Sequence, residues 1–113
     1  MHEVGLMQNA LDLAFTRAES EGAKRIEAIR LRVGALSGAV PESLEFAFEG
    51  LKKGTIAEGA RLDLDFVPVR CLCRSCRTEF EPGDYVLTCP SCGREDFDIL
   101  AGYEMNLVSI EVT

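Results

Sequence analysis

The stretch RCLCRSCRTEFEPGDYVLTCPSCG, residues 70–93, decides how the rest of the chain divides. It contains two Cys-x-x-Cys turns, Cys73 to Cys76 and Cys89 to Cys92, separated by the twelve residues from Arg77 to Thr88. That spacing lets two hairpin tips converge on one tetrahedral ion. Four thiolates at about 2.3 Å satisfy Zn(II) and leave no position open to a substrate, so the expected metal is structural. Pro90 presets the turn after Cys89, and Gly93 tolerates the positive φ that a tight knuckle needs. Cys73, Cys76, Cys89 and Cys92 are therefore the expected zinc ligands. An iron held by four cysteines would use similar turns in an electron carrier, which keeps a rubredoxin-like reading open at this point. Cys71 is the odd one: one residue from Cys73, it cannot form the same turn, and it reads as an unligated thiol or as a redox or ligand-exchange group.

Outward from this stretch the composition changes. Arg70 to Gly102 holds all five cysteines and two of the four prolines, and it lies between two strand-like segments, so it reads as a module inserted into a larger unit. Before it, Val4, Met7, Leu11, Ala14, Phe15 and Ala18 recur at helical spacing, and Glu21-Gly22 should close that helix. Ile29, Leu31 and Val33 alternate with Arg30 and Arg32, the period of a half-buried strand. Gly34 to Val40 is rich in small residues and reads as a loop. Pro41 suits the first turn of a second helix, whose buried side is expected to be Leu44, Phe46, Ala47, Phe48 and Leu51. Leu62, Leu64 and Phe66 mark a second strand that Pro68 ends or places at an edge. After the module, Tyr103 to Val112 is a third strand, with Met105 and Leu107 on one face and Val108, Ile110 and Val112 staggered onto the other. The expected fold is α+β: a two-layer domain of about three strands and two helices with an inserted zinc-ribbon module. The domain division is residues 1–69 plus 103–113, and residues 70–102.

Composition limits what such a chain does. With 113 residues, 47% of them apolar, there is material for one core and a small satellite. An odd number of cysteines excludes a fully paired disulfide framework, and an N-terminal stretch bearing Glu3 and Asp12 is unlike a secretory signal. A cytoplasmic protein with thiols kept for metal is the expectation. The net charge of −7 opposes attraction to nucleic acid and to anionic membranes. From Arg70 onward four arginines face eight acids, and a zinc with four thiolates adds about −2 more, so the module is no platform for bases. No apolar run approaches the ~18 residues of a membrane span.

The only histidine is His2. The α-amine of Met1, the first backbone nitrogens and the His2 imidazole lie within a few bonds of one another, and Met1 is expected to be retained because removal of an initiator methionine generally requires a small second residue. Nitrogen donors in a plane suit Ni(II) or Cu(II), whereas four sulfurs in a tetrahedron suit Zn(II). Glu3 offers a carboxylate beside them, or simply a favourable charge on the first turn of a helix.

Met1-His2-Glu3, the helix after it, Arg32-Val-Gly34 with its small-residue loop, Ser43-Leu-Glu-Phe46, and the inserted Cys73-x-x-Cys76 with Cys89-Pro-x-Cys92 together resemble the HypA/HybF family of hydrogenase nickel-incorporation proteins over essentially the whole chain. The resemblance implies a nickel metallochaperone and not an enzyme. It would deliver Ni(II) to the large-subunit precursor of a [NiFe] hydrogenase, working with the HypB GTPase as a monomer or homodimer. Its nickel site would map onto Met1, His2 and Glu3, and its structural zinc onto Cys73, Cys76, Cys89 and Cys92. Some relatives also act in urease maturation. The alternative is a zinc-ribbon adaptor that transports no metal.

Overall fold

The computed structural model describes residues 2–82 and 88–113, with His2 described by its backbone alone. Helix α1 (His2–Ser20) buries Met7, Leu11, Ala14 and Ala18 along one stripe. It stops where the sequence predicts. Gly22 adopts φ +68°, its N–H donates to the Glu19 carbonyl, and the Ala23 N–H donates to the Ala18 carbonyl at 3.0 Å, a Schellman closure that satisfies the last carbonyls. Strand β1 (Ile26–Gly34) follows, then α2 (Pro41–Leu51) with Pro41 in its first turn, then β2 (Arg61–Val67). Strands β3 (Arg70–Cys73), β4 (Glu79–Phe80) and β5 (Phe97–Ala101) come from the cysteine-rich stretch, and β6 (Met105–Val112) returns to the first sheet.

Two three-stranded sheets result, ordered β2-β1-β6 and β4-β3-β5. In the first, β1 is central, parallel to β2 and antiparallel to β6. The parallel pair requires a crossover, and α2 supplies it. The two helices pack against one another, α1 also meeting β6 and β1 and α2 meeting β2. The core lies between helices and sheet, with Phe48, Met7, Leu11, Ile26, Ile29, Leu31 and Leu44 fully enclosed.

Several side-chain placements differ from the periodic reading: Val4, at the start of the α1 stripe, is 37% exposed, and Phe66, near the end of β2, is 53% exposed, so neither joins the core. Phe46 is 83% exposed, because Leu44, Ala47, Phe48 and Leu51 already form the inward stripe at 3.6 residues per turn and position 46 falls on the far side. In β6, Met105, Leu107 and Ile110 all pack on the same core. The register explains this: Arg30 and Leu31 on β1 face Ser109 and Leu107, so Val108 is an extra residue. A bulge there resets the parity of the strand and returns Ile110 to the inner face. A second irregularity at Glu27 in β1 does the same between Ile26 and Ile29.

The two sheets meet at a pair of glycines. The Gly34 N–H donates to the Glu104 carbonyl and the Leu36 N–H to the Gly102 carbonyl, both at 2.6 Å, so the end of β1 clasps the segment linking β5 to β6. A Cβ on Gly34 would stand 2.1 Å from the Gly102 carbonyl oxygen and 2.7 Å from the Glu104 nitrogen. Gly102 itself has φ +128°, which L side chains avoid, and Glu104 Oε1 accepts the Gly102 N–H at 2.6 Å.

Candidate metal centre

Each cysteine knuckle is built by the same two backbone hydrogen bonds. The Cys73 N–H donates to the Thr78 carbonyl and the Arg77 N–H to the Cys73 carbonyl, both at 2.9 Å. The Cys89 N–H donates to the Arg94 carbonyl and the Gly93 N–H to the Cys89 carbonyl, both at 2.8 Å. The fourth residue after each leading cysteine must take positive φ, and Arg77 (65°) and Gly93 (75°) do so. Gly93 was readable in advance. Arg77, the one non-glycine with positive φ among the described residues, carried no signal.

The knuckles bring the four expected sulfurs together. All four Sγ atoms lie within 4.8 Å of one another, with Cys73 to Cys92 and Cys76 to Cys89 each at 3.5 Å. A tetrahedron of thiolates around zinc at about 2.3 Å has edges of about 3.8 Å, inside that range, so the donor set and spacing fit a closed Zn(II) site. Cys73 and Cys89 are buried, Cys76 and Cys92 exposed, so each close pair joins an inner sulfur of one knuckle to an outer sulfur of the other. The Thr78 hydroxyl, 3.2 Å from Cys76 Sγ, and then the Thr78 amide bring the Cys76 thiol down to about 6. The amide of Cys76, helped by that of Ser75, lowers Cys73 against the opposing effect of burial. At Cys92 the Arg94 amide pulls downward, but burial and the three neighbouring sulfurs outweigh it and raise the thiol to about 11. A metal binding here must therefore displace protons, and its affinity falls in acid.

Cys71 stands outside the cluster. It is 1% exposed on β3, opposite Phe80 on β4 and Ile99 on β5, and it packs with Cys73, Cys89, Val69 and Phe97 in a core of its own. Burial pushes its thiol up, as suits a small apolar filler. Phe80 and Phe97 meet edge to face, centroids 5.8 Å apart. A core this small has little apolar burial to offer, so a metal cross-link at the neighbouring cysteines would add to it. Two supports were not legible in the sequence. Thr78 is one. The other is Arg74, whose guanidinium binds Asp96 at 2.5 Å and Asp98 at 2.6 Å and ties the first knuckle to β5.

Of the residues expected at the second metal site, Met1 lies outside the described residues, His2 opens α1 with its side chain likewise outside them, and Glu3 occupies the first turn, half-buried. Glu3 is not part of the four-sulfur cluster. No described helix is long and apolar enough to cross a membrane.

Residues 1–112 match the family model described as HypA, hydrogenase/urease nickel incorporation, metallochaperone. The chain is 44% identical to the hydrogenase maturation factor HypA of Picosynechococcus sp. and 43% identical to that of Geobacter sulfurreducens, each over 112 residues and 99% of both chains. Its fold is similar to the solution structure of the Ni metallochaperone HypA from Helicobacter pylori, with TM-score 0.69 and 28% identity, covering 99% of this chain and 97% of that one. A second solution structure, of a HypA protein, superposes with TM-score 0.75 at the same identity, covering 100% and 97%. The protein therefore belongs to the HypA family of nickel-incorporation metallochaperones in hydrogenase maturation, accessory proteins rather than enzymes.

Proposed function

We propose that this chain binds one Ni(II) ion as cargo through Met1, His2 and Glu3 and hands it to the large-subunit precursor of a [NiFe] hydrogenase, with the HypB GTPase as its partner in the cytoplasm. The observation that carries the reading is that His2 and Glu3 fall in the first turn of α1. The i→i−4 ladder of an α-helix starts beyond its first turn, so coordination at these nitrogens leaves the ladder of α1 intact. The positive end of the helix dipole favours the amide anions that such a site needs. With the Met1 amine and the His2 imidazole they complete a planar nitrogen set of the kind Ni(II) prefers. Acid protonates the amine and imidazole, whose ordinary values are about 8 and 6.5, so the cargo is released as pH falls.

The resident metal in this reading is zinc, held by Cys73, Cys76, Cys89 and Cys92. When bound it supplies a structural cross-link and no chemistry toward nickel. The chain divides into residues 1–69 with 103–113, and residues 70–102. Two separate sheets, two separate apolar clusters and a length of 55 Å along the longest axis support that division.

Calorimetric nickel titration of the untagged protein tests the cargo site. His2→Ala, and one residue added ahead of Met1, are each expected to weaken binding by about 10- to 100-fold or more, with zinc content and circular dichroism unchanged. Undiminished affinity in both variants would remove the N-terminal site.

A further inference from the structure

The outward side of α2 has an aromatic ring at its centre and acids around it. Glu42, Glu45, Phe46 and Glu49 follow one another at i, i+3, i+4 and i+7, the spacing that brings side chains onto one face of a helix, and all four are exposed. Phe46, at 83%, is the most exposed large apolar side chain among the described residues. The same four residues line one side of a groove of about 560 Å³ whose other side is Ala60 and Leu62, at the start of the edge strand β2.

The chain by itself gains little from this stripe. Glu42 stands in the first turn, where the helix dipole favours an acid, but Glu49 stands in the last turn, where the dipole opposes one and no basic residue compensates. Glu42 with Glu45, and Glu45 with Glu49, are like charges at i,i+3 and i,i+4, which repel. The nearby cations are committed elsewhere. Lys52 meets Glu49 at 3.1 Å but also donates to the Ala60 carbonyl and lies over the Phe48 ring, and Arg61 is bound to Asp63 and Glu111. Among the described residues Glu42 and Glu45 have no ion-pair partner, and Phe46 has neither a ring nor a cation against it.

An uncovered ring among unpaired carboxylates defines its complement. A guanidinium stacks on an aromatic face while pairing with carboxylates beside it, and its apolar stem covers the ring edge. Nucleic acid and anionic membranes bring the wrong sign. An added strand is disfavoured too, because β2, the sheet edge at this groove, carries Arg61, Asp63 and Asp65, charges that keep an edge from pairing. A helix fits: α2 has 11 residues and is about 16 Å long, so about three turns of a partner laid along it reach the whole stripe.

We propose that the outer face of α2 docks a basic amphipathic helix of another protein, with an apolar side chain or arginine stem on Phe46 and basic residues a turn apart facing Glu42, Glu45 and Glu49. This face is on a different helix from Met1, His2 and Glu3, so the docking stands whether or not those residues carry nickel.

Titrating the isotope-labelled, zinc-loaded full chain with an alanine-based helical peptide of about 15 residues, bearing arginines at the i, i+3 and i+7 spacing and leucine at i+4, tests this by amide chemical shifts. The shifts are expected to saturate and to concentrate in α2 and residues 60–62. Phe46→Ala should weaken binding by about tenfold or more, as loss of an aromatic anchor does. Glu45→Lys combined with Glu49→Lys should weaken it similarly, and a peptide with glutamates in place of the arginines should bind that variant better than it binds the native chain. All three positions are exposed, so the fold survives these changes, which an unaltered circular dichroism spectrum checks. Affinity indifferent to both variants, or shifts scattered over other faces, would overturn the proposal. So would shifts in α2 that appear on concentrating the chain alone, which would give the face to a second copy.

Discussion

At the scale of a single residue, Gly34 is the described glycine with the least room for a side chain. The atoms a side chain would strike are backbone, the carbonyl of Gly102 and the amide of Glu104, and backbone held by its own hydrogen bonds cannot swing aside. Gly34→Ala is expected to cost at least about 2 kcal/mol, in the upper range of overpacking, because it forces apart the clasp between β1 and the β5–β6 link. Urea unfolding of the variant checks this, and a midpoint equal to the parent's would show that the clasp yields freely. Nothing near Gly34 in the sequence announces the constraint. The obstructing atoms lie nearly seventy residues along the chain, so a reading of neighbours sees only the start of a small-residue loop. Phe46 fails to be legible for a different reason: an aromatic within an apolar run reads as core until the helical stripe is counted residue by residue.

At the scale of the element, the link between β5 and β6 is set by Glu104. The Gly102 N–H, with the Glu104 amide and the charge of Arg32, holds this carboxyl below its ordinary range. Since the folded value is the lower one, the contribution to stability is complete above the unfolded value of about 4.3 and disappears as pH falls through the folded value. Comparing denaturant midpoints of the native chain and Glu104→Gln across pH 2–7 should show a native advantage at neutral pH that shrinks below about 4.3. A gap that persists unchanged to the lowest pH would contradict the carboxylate's role. Most elements were legible because their evidence is local: the Met7, Leu11, Ala14, Ala18 stripe, the alternation at Ile29, Leu31 and Val33, Pro41, and Gly22 at a helix end. β6 was legible as a strand but not in its facing, because a period of two assumes an unbroken ladder and the Val108 bulge is fixed by pairing with β1. The four cysteines were legible from their spacing alone. Thr78 and the Arg74 pair with Asp96 and Asp98 were not, since no spacing rule ties a threonine or a distant aspartate to a knuckle.

At the scale of the whole molecule, two cores of unequal size share one chain. The larger is formed by helices on a sheet, while the smaller has Cys71, Cys73, Cys89 and Phe80 at its centre. A zinc contribution on the order of 10 kcal/mol would outweigh anything that second cluster provides by burial. Chelation, or Cys73→Ala, should therefore abolish amide-exchange protection in β3 and β5 while α1 keeps its helical circular dichroism. Loss of both together would mean that the two sheets unfold as one unit. The connectivity also sets an order of assembly. β1 is the centre of the first sheet, yet β6, its antiparallel neighbour, is the last of the strands to leave the ribosome. At about 5–20 residues per second, the nascent chain waits roughly four to fourteen seconds between finishing Gly34 and reaching Met105, with one side of its central strand unpaired. The newborn protein thus still carries an unpaired edge on its central strand throughout translation of its cysteine-rich stretch, and synonymous codons that slow that stretch would lengthen the exposure without changing a single residue.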